Sequence, residues 1–266
     1  MAKPRRRIRQ MPKIYGNLQK APRSYAGVGR FFKWLFWSAL FIGVMYVFFF
    51  SEAFTINKVE VDGAHFVSAA DVSRYLPVGT NIWLFSEARL RDQILRDDRV
   101  ESVAIYRGLP DSVKIVIVEK QPSMLWVSGN TTAVLDSAGV PFMLYPSNTF
   151  PAPTTALGSY LSRLVTVRDT KSLPIGLNRQ ITSPLFIRFV QKVRSQIQTY
   201  LPTLTLDHYE VADTTYDVTF VATQGMRVQF NSLGDAGVQV RNLVRLVGQG
   251  KATYKSQVDL RIDRWA

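Results

Sequence analysis

The run from Trp34 to Phe50, WLFWSALFIGVMYVFFF, contains no charged residue and a single serine. As a helix rising about 1.5 Å per residue, it approaches the roughly 30 Å hydrocarbon core of a bilayer. Phe31, Phe32 and Lys33 extend it, and Lys33 can reach back toward the phosphates. Trp34 and Trp37 stand where an interfacial aromatic belt is expected. The run is too long for the apolar core of a cleaved signal peptide, and its end, FFFSEAF, offers no small-residue cleavage site. A buried helix of a soluble protein is seldom apolar on every face. The sequence therefore predicts an uncleaved transmembrane helix over 31–50.

Charge sets its direction. Lys3, Arg5, Arg6, Arg7, Arg9, Lys13, Lys20, Arg23 and Arg30 precede the run, whereas Ser51 to Asn57 carries only Glu52. Basic flanks are retained inside, so the N-terminus is expected in the cytoplasm and the body outside it. Residues 1–33 hold ten Lys or Arg and no acid, which leaves 23 basic against 20 acidic residues in the rest. The high net charge thus belongs to the tail, and the body gives no reason to expect a nucleic-acid partner. Residues 1–30, poor in apolar side chains, read as a disordered basic cytoplasmic tail. The cluster RRRIR suits anionic lipid or RNA, but its role as a topology signal is sufficient.

The absence of cysteine excludes disulfides, Cys-ligated metal and a Cys nucleophile. It does not fix the compartment. The body must stand on its own apolar core, for which its length is ample.

A first unit runs from Phe54 to Pro122. Ile56, Val59 and Val61 read as a strand ending at Asp62-Gly63. Ser68 suits the N-cap of a helix over Ala69 to Leu76, and Ser86 that of a second helix with Ala88, Leu90, Ile94 and Leu95 on one face. Arg89, Arg91, Asp92 and Arg96 to Arg99 are expected to face water. Two strands follow around the turn Leu109-Pro110-Asp111. The order strand, helix, helix, strand, strand predicts an α+β layer with its helices on one sheet face.

The second unit, 123–266, is β-rich. Ala133 to Leu135 and Val140 to Leu144 flank the turn Asp136 to Gly139, and Leu164 to Val167 reads as a short strand. Tyr145 to Pro153, with three prolines, reads as a loop. Ser183-Pro184 opens a helix buried through Phe186, Phe189, Val190, Val193 and Ile197. Strands are expected at Leu206 to Val211, Tyr216 to Thr223 and Met226 to Asn231. Asp235 then opens a helix with Val240, Leu243, Val244 and Val247 inward. The last strand, Val258 to Asp263, alternates Val258, Leu260 and Ile262 with Asp259, Arg261 and Asp263.

No residue pattern carries catalysis. His65 and His208, far apart and in unrelated contexts, read as ordinary polar residues; they cannot build HExxH, and no third metal ligand is signalled. There is neither GxSxG nor a P-loop, and Asp97-Asp98 reads as solvated. No cofactor, metal or small-molecule substrate is expected, and the chain is not expected to be an enzyme.

A basic tail, one anchor, the β-α-α-β-β unit and a β-rich unit resemble, in that order, the FtsQ/DivIB family of bacterial cell-division proteins. The match is carried by FTINKVEVDGAHFVSAADV, by DDRVESVAIYRGLPDSVKIVIVEKQP with Glu119 and Pro122, by Trp126 with VLDSAGVPF, and by SLGD and VDLRI. The resemblance implies a POTRA domain over 54–122 and a β domain over 123–266. It further implies a non-enzymatic scaffold of the divisome at the septum, recruited through POTRA contacts and holding FtsB and FtsL on the β domain. Two features depart from the family: little sequence follows VDLR, and Ile262 stands where an aromatic residue is common.

Two other readings compete. One is a POTRA-bearing component of a secretion or envelope-assembly system, which ordinarily needs a β-barrel. The other is a membrane-anchored cell-wall enzyme, which lacks nucleophile and base motifs here. The expected partner site is Val258, Asp259, Leu260, Arg261, Ile262 and Asp263. An uncovered strand edge offers unpaired N–H and C=O groups to another chain, and the family is implied to bind FtsB near this strand. The alternative is an ordinary core strand with both edges occupied.

Overall fold

A computed structural model describes residues 26–76, 78–253 and 257–261. Most of the expected disordered tail lies outside the described residues. Helix α1 spans Ala26–Phe50, beginning five residues before the expected start at 31. A nucleated helix propagates at little cost, so it runs past its apolar stretch to include Arg30. Within it, Val28–Phe50 is long and apolar enough to cross a membrane, and nearly all its large apolar side chains are exposed.

The body is a separate compact unit from Glu52 onward. After a short turn of 3-10 helix at Glu52–Phe54 come β1 (Lys58–Asp62), α2 (Ala69–Arg74), α3 (Glu87–Ile94), β2 (Val100–Gly108) and β3 (Ser112–Glu119). The three strands form one sheet in the order β1-β3-β2, with β1 parallel and β2 antiparallel to β3. Val113, Ile115 and Ile117 alternate inward along β3 and join Val72, Leu90 and Ile94 in one apolar cluster. On the opposite face Lys114 pairs with Asp62 at 2.7 Å. Gly63, at φ +81°, ends β1 where a Cβ would lie 2.1 Å from the Ile117 carbonyl oxygen.

The cap of α3 is as expected, Ser86 Oγ accepting the Arg89 N–H at 3.3 Å. Ser68 occupies the N-cap of α2, but its side chain makes no capping bond. The loop ahead of α2 is held from a distance instead. The Glu119 carboxylate, 3% exposed, accepts the N–H groups of His65, Phe66 and Val67 at 2.7–2.9 Å through Oε1. Arg99 Nη1 donates to the Phe66 carbonyl at 2.7 Å and its fork grips Asp97, Nε to Oδ1 at 2.9 Å and Nη2 to Oδ2 at 2.6 Å. The expectation that Asp97 and Arg99 face water fails here. Both are part-buried, because the orphan carbonyl of Phe66 recruits the guanidinium and the guanidinium recruits the carboxylate.

The second sheet has eight strands in the order β11-β10-β9-β8-β7-β4-β5-β6. They are β4 (Met124–Ser128), β5 (Thr131–Leu135), β6 (Pro141–Pro146), β7 (Val165–Asp169), β8 (Leu206–Val211), β9 (Asp217–Ala222), β10 (Arg227–Asn231) and β11 (Gln257–Asp259). The neighbours β4, β7 and β8 are parallel, β10 and β11 are parallel, and the remaining pairs are antiparallel. Helices α5 (Pro184–Tyr200) and α6 (Ala236–Gly248) pack on one face. Phe186, Phe189, Val190, Val193, Val240 and Leu243 meet Trp126, Tyr209, Phe220 and Phe230 there. Tyr209 fixes α5 by donating its hydroxyl to the Val190 carbonyl at 2.9 Å; burial pushes its phenol well above the usual range.

A short helix, α4 (Ala156–Leu161), covers part of the other face, where Leu161 joins Leu125, Val134 and Phe142. β4 is thus buried from both sides, Met124 and Trp126 toward α5 and Leu125 toward α4. The caps of α5 and α6 are as expected: Ser183 Oγ accepts from Phe186 at 3.1 Å and Asp235 Oδ1 from Val238 at 2.9 Å.

Candidate partner-binding edge

The helix α6 returns the chain so that β11 lies parallel to β10, Val228 opposite Val258 and Gln229 opposite Asp259. The Leu260 N–H continues the ladder to the Gln229 carbonyl at 2.9 Å. Side chains alternate as expected. Leu260 is buried and Val258 half-buried on the helix side, while Gln257, Asp259 and Arg261 are exposed. Alternate N–H groups in a parallel ladder point to opposite sides. Since Leu260 donates to β10, the N–H groups of Asp259 and Arg261 point away from it.

The strand is shorter than expected. It ends at Asp259, and Arg261 lies in a bend. Asp259 Oδ1 accepts the Arg261 N–H at 3.0 Å, and Asp259 Oδ2 takes the Arg261 guanidinium at 2.6 Å. The guanidinium also reaches Asp217 Oδ2 at 3.5 Å. The hydrogen bond from Arg261 holds the Asp259 carboxyl below its usual range. The side chain of Asp259 therefore closes one outward donor and stops the strand. Ile262 and Asp263 lie outside the described residues.

β11 forms one margin of the sheet, and among the described residues no strand pairs with its outer side. The opposite margin is β6. It begins at Pro141 and ends at Pro146, its Pro141 carbonyl is taken by the Asn178 N–H at 3.0 Å, and prolines make poor templates for pairing. The prolines close the two ends of β6, whereas on β11 the outward N–H of Asp259 meets no strand among the described residues. Asp217 and the paired prolines are the elements of this site that sequence reading missed, because only the strand order brings them to the margins.

Among the described residues no three His, Asp or Glu side chains are grouped to hold a metal ion. His208, expected to be an ordinary polar residue, is buried on β8. Its ring lies 2.8 Å from Asp207 Oδ2 and 3.2 Å from Glu210 Oε1, and Glu210 also pairs with Arg227. Despite burial, the bonds from Arg227 and His208 keep the Glu210 carboxyl below its usual range.

Residues 54–120 match the family model for the POTRA domain, FtsQ-type. The chain is 33% identical over 141 residues to the cell division protein FtsQ of Chloroflexus aggregans, covering 53% of this chain and 47% of that protein. It is 33% identical over 127 residues to FtsQ of Chloroflexus aurantiacus, covering 47% and 43%. The cell division protein DivIB of Clostridium acetobutylicum is 26% identical over 89 residues, or 33% and 36%. The chain spans less than half the length of each of these relatives.

Proposed function

As a member of the FtsQ/DivIB family of cell division proteins, this chain, we propose, is a non-enzymatic membrane-anchored scaffold of the divisome. Its apolar helix would hold it in the membrane as a single-pass protein, with the N-terminus in the cytoplasm and the body outside, concentrated at the division septum. The body would act as two units, a POTRA domain over 54–122 and a β domain over 123–266, linking early and late division proteins. Their apolar clusters, one within 56–117 and others from Met124 onward, support that division.

The observation that carries the reading is the open margin of β11. We assign partner binding to Val258, Asp259, Leu260, Arg261, Ile262 and Asp263, and FtsB, with FtsL alongside it, as the expected occupant. A partner strand would gain main-chain bonds from the outward groups of β11 and specificity from alternate side chains. A photo-crosslinking amino acid at Gln257 is expected to capture FtsB in dividing cells, and one at Leu144 on β6 is not. Capture at Leu144 alone would move the site to the opposite margin. A fluorescent fusion is expected at midcell, and a uniform envelope signal would contradict the division role.

A further inference from the structure

The two long helices carry charge of one sign. α5 holds Arg188, Lys192 and Arg194, α6 holds Arg241 and Arg245, and neither contains Asp or Glu. Arg163 adjoins α5, its carbonyl accepting from Arg194 Nη1 at 2.8 Å. Among the described residues, the carboxylate paired with this surface is Asp235, 3.8 Å from Lys192 Nζ. Arg188, Arg241 and Arg245 enter no ion pair there, although Arg227 and Arg261 on the other side of the sheet are each paired with an acid. Arg188 with Lys192 and Arg241 with Arg245 are like charges at i and i+4, an arrangement that weakens a helix standing alone. A bound anion would relieve that repulsion.

The surroundings discriminate among anions. A shallow groove beside α5 is lined by Ser123, Arg163, Gln191, Arg194, Ser195 and Gln198 together with Leu164 and Val165, and by no carboxylate. Protein interfaces are centred on desolvated apolar anchors, yet the large exposed apolar residues of α5, Leu185 and Tyr200, stand at its two ends. Insertion into a bilayer needs a free apolar face, and that of α5 is spent on the core through Phe186, Phe189, Val190 and Val193. A flexible, hydrated chain of repeated charges needs neither.

We propose that the α5–α6 surface docks a phosphodiester-linked polyanionic polymer of the cell envelope. The source of the polymer rests on the outside placement of the body proposed above. Binding in solution does not, so the two readings fail separately. The test uses the full chain in uncharged detergent and fluorescent poly(glycerol phosphate), read by anisotropy across a salt series. Binding is expected to weaken with salt. The double variant Arg188→Gln/Arg245→Gln is expected to lower the log–log salt slope by about 1.4, at about 0.7 per lost phosphate contact, with unfolding unchanged. Arg168→Gln, on the opposite face of β7, is expected to leave binding as it was. The proposal is overturned if the polymer does not bind, if Arg168→Gln weakens it as much, or if poly-L-glutamate or anionic vesicles displace it at equal charge concentration.

Discussion

The Glu119 carboxylate accepts the N–H of Val67 at 2.7 Å across 52 residues of sequence. With His65 and Phe66 donating to the same group, the end of β3 fixes the entry to α2. A buried carboxylate in this position is stable because backbone donors replace its water. Substituting Glu119→Gln keeps one acceptor oxygen but removes the charge and sets an amide N–H₂ against the Phe66 N–H, which also reaches Oε2 at 3.0 Å, so the full chain in detergent is expected to lose about 2 kcal/mol in denaturant unfolding of its first layer. An unchanged midpoint would show that the loop holds itself.

Acid should weaken the same corner. The side-chain bond from Arg99 holds the Asp97 carboxyl below its usual range. The unfolded chain, titrating at about 3.9, therefore takes up its proton first. The stabilisation is complete above that value and is lost as pH falls through the folded one. Unfolding midpoints measured from pH 6 to 3 are expected to fall, and Asp97→Asn is expected to flatten that fall. A variant as acid-sensitive as the parent would contradict the assignment.

The order of the first layer and the caps at Ser86, Ser183 and Asp235 were legible in the sequence because they are local: a capping oxygen acts within three residues. β4 was not, because Met124 to Ser128 is covered on both faces and shows no alternation. α4 is six residues long and follows a proline-rich stretch, too short for a periodic stripe. The roles of Glu119, Arg99 and Asp217 depend on partners dozens of residues away, which no spacing announces. At the candidate edge the alternation of Val258 and Leu260 was readable, whereas the stop at Asp259 comes from its own side chain binding Arg261.

Gly139 offers a test of the turn between β5 and β6. Its φ is +80°, and a Cβ would lie 2.1 Å from the Thr182 carbonyl oxygen. Ile181 donates its N–H to the Gly139 carbonyl at 3.0 Å, so turn and loop are tied. Gly139→Ala is expected to destabilise the second layer by more than about 1 kcal/mol, seen as a lower thermal midpoint. A neutral result would mean that the loop at Thr182 yields freely.

The proposed topology predicts that a reporter enzyme active only outside the cytoplasm works when fused after Ala266. Activity of a cytoplasm-only reporter at that position would reverse the orientation.

The open margin of β11 is tested most directly at Asp259, whose N–H points away from β10. Asp259→Ala removes the carboxylate and keeps that N–H; Asp259→Pro removes both and obstructs an added strand. Co-purification of FtsB with the full-length chain is the measurement, with thermal unfolding recorded for each variant. The account predicts that Asp259→Ala retains FtsB and that Asp259→Pro loses it while unfolding like the Ala variant. A folded Asp259→Pro protein that still holds FtsB would contradict it.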